Sequence, residues 1–205
     1  MLQIIFATGN QGKMREIRAI LRDCGAGIIS MKEAGLDIEI EENGTTFEEN
    51  ALIKARAVAD ALVAQGKTQT CVVMADDSGL EIDCLNGEPG VYSARYLGEE
   101  TPFDVKSQDF LRRMADVPEE KRSARFVCAI AAVFPGGEAV TTSGIVEGRI
   151  GHELVGDNGF GYDPIFYLPE YGRTAAQLSD EEKNQISHRS RALGLMKEEL
   201  KKRMF

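Results

Sequence analysis

The chain opens on a short apolar run, Gln3-Ile-Ile-Phe-Ala7, that stops at Thr8-Gly9-Asn10. Beyond the stop, Met14, Ile17, Ile20 and Leu21 recur at helical spacing, so the segment reads strand, tight loop, helix. Thr46-Phe-Glu-Glu49 has the form of a capping box and predicts a second helix, with Ala51, Leu52, Ala55, Val58, Ala59 and Leu62 as its buried stripe to about Gln65. Thr70-Cys-Val-Val-Met-Ala75 is instead apolar without a break, the pattern of a strand covered on both faces, and it delivers Asp76 and Asp77 at its C-terminal end. Leu80 to Leu85 is expected to return as another strand.

Thr101-Pro102 predicts a third helix, with threonine as cap and proline at the first helical position, running through Phe103, Phe110, Leu111 and Met114 to a stop at Val117-Pro118. Arg125 to Phe134, the turn Pro135-Gly136-Gly137, and Glu138 to Ile150 predict a long antiparallel pair. Ser179-Asp-Glu-Glu182 is a second capping box, and Leu193, Met196 and Leu200 mark a final amphipathic helix from Ser187. Alternating strands and helices followed by hairpins predict an α/β fold. We expect a single domain over residues 1–205 in two lobes, with a mixed sheet flanked by helices and a central cleft for a ligand.

Composition narrows the function classes. At 205 residues and 43% hydrophobic content the chain can bury a sizeable core. A net charge of -9 argues against broad nucleic-acid binding, which draws its affinity from clustered Lys and Arg, while a small anionic substrate stays open if positive charge is local or a metal ion neutralises it. Apolar runs such as Phe126 to Phe134 are too short to cross a bilayer, and no basic segment followed by a long apolar stretch opens the sequence, so neither a membrane nor a secretory role is expected. Cys24, Cys71, Cys84 and Cys128 form no C-x-x-C pair and stand far from His152 and His188, which disfavours structural zinc. Reduced thiols in a cytoplasmic protein fit this pattern, with Cys71 and Cys128 as core strand residues.

Five groups could carry chemistry. Thr8 to Lys13, at a strand-to-helix junction, would point amide N–H groups and a positive helix end at a phosphate, although an ordinary turn capped by Asn10 has the same residues. Adjacent Asp76 and Asp77 are costly unless they bind a cation such as magnesium, meet a helix end or reach water, and the segment to Gly79 reads equally as a hairpin turn. The acidic pair Glu41-Glu42 could add a carboxylate to that metal or simply be solvated. Phe160-Gly161-Tyr162-Asp163 sets two rings in a glycine-rich loop, suited to stacking on a purine or to filling a surface crevice. Lys183, His188 and Arg189 form a positive group fit for phosphate or a base carbonyl, or else exposed helix residues and a cap.

Thr8-Gly-Asn-x-x-Lys13, Ala75-Asp-Asp-Ser-Gly79, Pro89-Gly-Val-Tyr-Ser-Ala-Arg-Tyr96, Gly159-Phe-Gly-Tyr-Asp-Pro-Ile-Phe166 and Ser187-His-Arg189 stand in order along nearly the whole chain. In this combination the sequence closely resembles the inosine triphosphate pyrophosphatase, or Ham1, family. The resemblance implies hydrolysis of dITP, ITP and XTP between the α and β phosphates by a magnesium-dependent homodimer, with a small nucleotide as partner and neither nucleic acid nor membrane. It implies that Thr8, Gly9, Asn10, Gln11, Gly12 and Lys13 cradle the triphosphate. Asp77 is then proton acceptor and metal ligand, Glu41 the second ligand, and Ser78, Phe160, Gly161, Tyr162, Asp163, Lys183, His188 and Arg189 touch substrate. A donor aimed at O6 would favour hypoxanthine and xanthine over adenine, whose amino group is itself a donor. A pyrophosphatase of other base preference, and a nucleotide-binding module without turnover, are the rival readings.

Overall fold

The computed structural model describes residues 2–66 and 71–204, and these form a mixed sheet flanked by five helices. The chain divides into two compact units. The first comprises Met1–Asp77, Cys128–Gly144 and Arg189–Phe205. It contains β1 (Leu2–Phe6), α1 (Gln11–Ile20), β2 (Ala26–Ser30), α2 (Phe47–Ala64) and the opening of β3 (Val72–Ile82). Parts of β5 (Ser123–Val133) and β6 (Ala139–Ile150), and most of α5 (His188–Met204), complete it. β1 lies parallel to β2 and to β3, with Ile5 opposite Ile29 and Val73. Its core gathers Ile4, Phe6, Met14, Ile17, Val72, Met74, Ile130, Leu193, Met196 and Leu200, the helical and strand stripes read from the sequence.

The second unit comprises Ser78–Val127 and Ile145–His188. Here β4 (Glu88–Pro89) pairs antiparallel with β3, and β7 (Phe166–Leu168) pairs antiparallel with both β6 and β8 (Arg173–Thr174). Helices α3 (Phe103–Arg113) and α4 (Asp180–Ile186) belong to it. Leu80, Ile82, Phe110, Met114, Phe126, Tyr162, Ile165 and Phe166 form its core. Arg122 is fully buried and donates to the carbonyls of Met114, Val117 and Ile150, so a cation closes the electronegative C-terminal end of α3.

Several expectations change. Asp76 to Gly79 is no turn, and Leu80 to Leu85 is no separate strand: β3 runs unbroken through both aspartates to Ile82, and a 3-10 turn follows at Asp83–Leu85. Cations on each side of β3, Lys13 and the buried Arg189 at Asp76 and the buried Lys54 at Asp77, pair with the carboxylates, so the polar pair does not have to turn outward to water. Thr70, expected to open this strand, lies outside the described residues. The third helix starts one residue later than expected, with Pro102 in the cap position, while Thr101 Oγ1 donates to the carbonyl of Leu97. Thr46 caps α2 as read, but Glu49 accepts from the amide and hydroxyl of Thr45, which puts its reach one residue earlier. At α4 the capping box is complete, Ser179 Oγ accepting from Glu182 N at 3.2 Å and Glu182 Oε2 from Ser179 N at 2.8 Å.

Candidate active site

In the first unit the end of β1 leads into a loop tied by two side chains. Thr8 Oγ1 accepts from Asn10 N at 3.2 Å, and Asn10 Oδ1 accepts from Lys13 N at 3.0 Å, which caps α1. The turn reading of this segment is therefore physically present. Gly9, however, is exposed, and a Cβ built on it would meet no atom within 4 Å. Nothing in the protein itself asks for glycine there, so the open space is available to a ligand approaching the backbone. Gln11 and Gly12 form the first turn of α1.

Successive residues of a strand face opposite sides, and β3 uses this to separate its two aspartates. Asp76 is buried against Lys13 Nζ, accepts from Arg189 Nε at 2.8 Å, and accepts from the Cys128 thiol at 3.1 Å. Arg189 is also paired with Glu16. Burial alone would raise the Asp76 pKa, but the charges of Arg189 and Lys13 hold it well below the usual carboxylate range. The same burial and the Asp76 charge push the Cys128 thiol well up.

Asp77 is placed differently. Its Oδ1 accepts from Lys54 Nζ at 3.0 Å, and Lys54 also donates to Glu42 Oε2 at 2.8 Å. Asp77 Oδ2 is buried and has no hydrogen-bond partner among the described residues. Burial raises the Asp77 pKa above its ordinary value; Lys54 and Lys13 oppose the rise and the nearby Glu42 charge adds to it. The Lys54 pKa is lowered by burial but raised overall by Asp77 and Glu42. Glu41 is exposed, whereas Glu42 is half-buried. Among the described residues no group of three or more His, Cys, Asp or Glu stands ready for a metal. Sequence reasoning missed Lys54; its one signal was a lysine inside the Ala51, Ala55, Val58 stripe of α2.

The second unit holds the remaining candidates. Asp163 Oδ2 accepts from Phe160 N at 2.8 Å and from Lys183 Nζ at 2.6 Å, and that ammonium sits 4.8 Å from the centre of the half-buried Phe160 ring. Gly159 and Gly161 both have positive φ, and a side chain on Gly159 would run into the Asp163 carboxylate, so the loop conformation needs glycine at that point. Tyr162 does not present a ring for stacking. It is a core residue, edge-on to Phe103 and Phe110, and its hydroxyl donates to the carbonyl of Ser93 at 2.9 Å.

Phe126, Asp163, Phe166, Lys183, Ser187 and His188 line a largely apolar pocket in this unit, where the His188 ring lies on Phe126 at 4.9 Å. Lys183 and His188 thus come together, and neither is an exposed helix residue. Arg189, expected beside them, instead belongs to the first unit through Asp76 and Glu16. Ser78 is half-buried in β3.

With this geometry in view, known proteins supply the family. The sequence profile of the Ham1 family matches residues 4–199. The chain belongs to the Ham1 family. It is 46% identical over 201 residues to the dITP/XTP pyrophosphatase of Clostridium perfringens, covering 98% of each chain. To the dITP/XTP pyrophosphatase of Bacillus subtilis it is 48% identical over 193 residues, 94% of each. Its fold matches that of the Staphylococcus aureus Ham1 protein with a TM-score of 0.83 at 43% identity, covering 97% of this chain and 98% of that one. The dITP/XTP pyrophosphatase of Mycobacterium abscessus matches with a TM-score of 0.71 at 40% identity, covering 95% and 98%.

Proposed function

We propose that this Ham1-family chain hydrolyses non-canonical purine nucleoside triphosphates, dITP, ITP and XTP, to the monophosphate and pyrophosphate, and so clears deaminated purines from the nucleotide pool. The observation that carries the mechanism is Asp77: one oxygen held by Lys54, the other buried and unclaimed. Such an oxygen, on a carboxyl whose pKa is raised by burial, is poised to accept a proton. In the reaction a water oxygen bonds to the α phosphorus, its proton passes to Asp77, and the bond from the α phosphorus to the bridging oxygen breaks as pyrophosphate leaves.

The residues also fit a divalent cation, since an unclaimed buried carboxylate oxygen is a costly feature for a fold to keep without one. We assign it to Asp77 and Glu42, in place of the exposed Glu41, because Glu42 shares Lys54 with Asp77. Magnesium in that position would supply neutralisation of the polyphosphate charge that repels water. Lys54 orients both carboxylates. The Thr8 to Lys13 loop takes phosphate oxygens on its amides and at the open face of Gly9.

In the second unit, Lys183 and His188 are the donors for O6 of hypoxanthine or xanthine, and Phe160 the ring beside the base, with Gly161, Tyr162 and Asp163 serving through the loop backbone they shape. Adenine would set its own N–H donors against those donors and leave buried groups unpaired. Ser78 contributes its hydroxyl, and Arg189 acts by holding Asp76 and, through it, Lys13. The same reading makes the chain one catalytic domain that works as a cytoplasmic homodimer. Among the described residues no helix is long and apolar enough to cross a membrane.

The test is pyrophosphate release from dITP, XTP, dATP, dGTP and dUTP, each with magnesium and with chelator. Release from dITP and XTP, at least about a hundredfold faster than from dATP and abolished by chelator, is expected. Release of single phosphates, preference for dUTP, or binding without any product would overturn the assignment.

A further inference from the structure

Asn50 is fully buried on α2, one turn before Lys54 and on the same helical face. Its two side-chain atoms are used unequally. Oδ1 accepts from Gly44 N at 2.8 Å, while Nδ2 is buried with no hydrogen-bond partner among the described residues. Gly44 follows Glu42 by two positions, and a methyl on it would stand 2.7 Å from Asn50 Oδ1 and 2.8 Å from Glu49 Cβ. The loop carrying Glu42 is therefore pressed against the first turn of α2, where only glycine fits, and Asn50 holds it there.

A buried amide donor left unsatisfied is unfavourable, and a residue needed only to accept from Gly44 would not carry one. Lys54, four residues on, engages both Glu42 and Asp77. We propose that Asn50 is a positioning residue of the carboxylate centre: its Oδ1 fixes the loop that bears Glu42, and its Nδ2 is kept for an anionic oxygen brought by the polyphosphate. This rests on the reading that a polyphosphate binds beside Asp77.

Asn50→Asp and Asn50→Leu separate the two roles. The aspartate retains an oxygen for Gly44 N–H and loses the donor; the leucine loses both and adds no charge. Two quantities are read: exchange of the Gly44 amide hydrogen in the free protein, and calorimetric affinity for inorganic pyrophosphate with magnesium. Asn50→Asp should leave Gly44 exchange within about threefold of wild type, whereas Asn50→Leu should speed it about tenfold or more. Both variants should lose about tenfold or more in pyrophosphate affinity. Unchanged Gly44 exchange in Asn50→Leu, or pyrophosphate affinity within about twofold of wild type in Asn50→Asp, overturns the proposal.

If position 50 tolerates neither residue, Gly44→Ala probes the same contact from the loop. It should keep a folded circular dichroism spectrum and lose about tenfold in pyrophosphate affinity; an unchanged affinity overturns the role of the contact. A wild-type protein that binds no pyrophosphate condemns the functional reading and the role of Nδ2 with it, while Gly44 exchange still judges the role of Oδ1.

Discussion

Asp76 and Asp77 are neighbours in one strand, yet the two faces of β3 treat them as opposites. Asp76 is saturated: two cations and a thiol surround it, Arg189 is tied again to Glu16, and its pKa is driven down. Asp77 has a single lysine, shared with Glu42, one unclaimed oxygen, and a pKa driven up. A completed ion network has no spare valence for chemistry, whereas an incomplete one is a site waiting for a proton or a cation. The contrast supports the proposed division, with structure on one carboxylate and reaction on the other.

The sharpest way to break that contrast is Asp77→Asn. It removes the proposed proton acceptor and keeps size and shape, so turnover of dITP should fall by about a thousandfold or more while the fold stays intact. Near-normal pyrophosphate release by this variant would end the assignment. Asp76→Asn should do the converse and cost mainly stability. It leaves the buried Arg189 with too little negative charge, and losing one partner of a buried pair costs about 3–5 kcal/mol. Chemical denaturation measures it, and a loss below about 1 kcal/mol would mean that the Asp76 network is not what holds this face together.

Which features were legible in the sequence follows the same division. Periodicity together with turn and capping motifs disclosed β1, α1, the neighbouring long strands β5 and β6 and the complete α4 cap, because each is fixed by local residues such as Asn10 or Ser179. β2 was missed, since Ala26-Gly-Ile-Ile-Ser30 is half-buried along most of its length and shows no clean alternation. The continuity of β3 was hidden because Asp-Asp-Ser-Gly has turn composition, and only partners distant in sequence, Arg189 and Lys54, make a strand affordable there. For the candidate site, Thr8 to Lys13, Asp77, Lys183 and His188 were visible as residue types. Lys54, Asn50 and the burial of Tyr162 were not, because a lysine or asparagine in a helical stripe and a tyrosine in a glycine-rich loop show their roles only through contacts.

Gly9→Ala asks whether the Asp76 face is scaffold alone, given that Lys13 belongs to it and the loop before Lys13 is open at Gly9. With no protein atom in the way, alanine should leave stability unchanged or raise it by about 0.4–1 kcal/mol through the unfolded chain. The KM for dITP should nevertheless rise about tenfold, because a methyl group would occupy the space proposed for phosphate. A stable variant with unaltered KM would show that the loop is only a turn.

The smallest effect is a dependence of stability on pH in chelator, read as the difference between Asp77→Asn and wild type. The Asp77 pKa is raised in the folded protein above its ordinary 3.8, so above the raised value the native state bears the cost of an ionised, poorly compensated carboxylate. Asparagine removes that cost, and near pH 7 the variant should be the more stable of the two. As pH falls through the folded pKa of Asp77 toward 3.8, the wild-type carboxyl takes up its proton and the gap should close. Asp76 behaves with the opposite sign: its contribution is present above the unfolded value of 3.8 and is lost only as pH drops below it, in both proteins alike, so it cancels from the difference. A gap that widened on acidification would mean that the folded protein favours the Asp77 anion, and the two faces of β3 would then be alike.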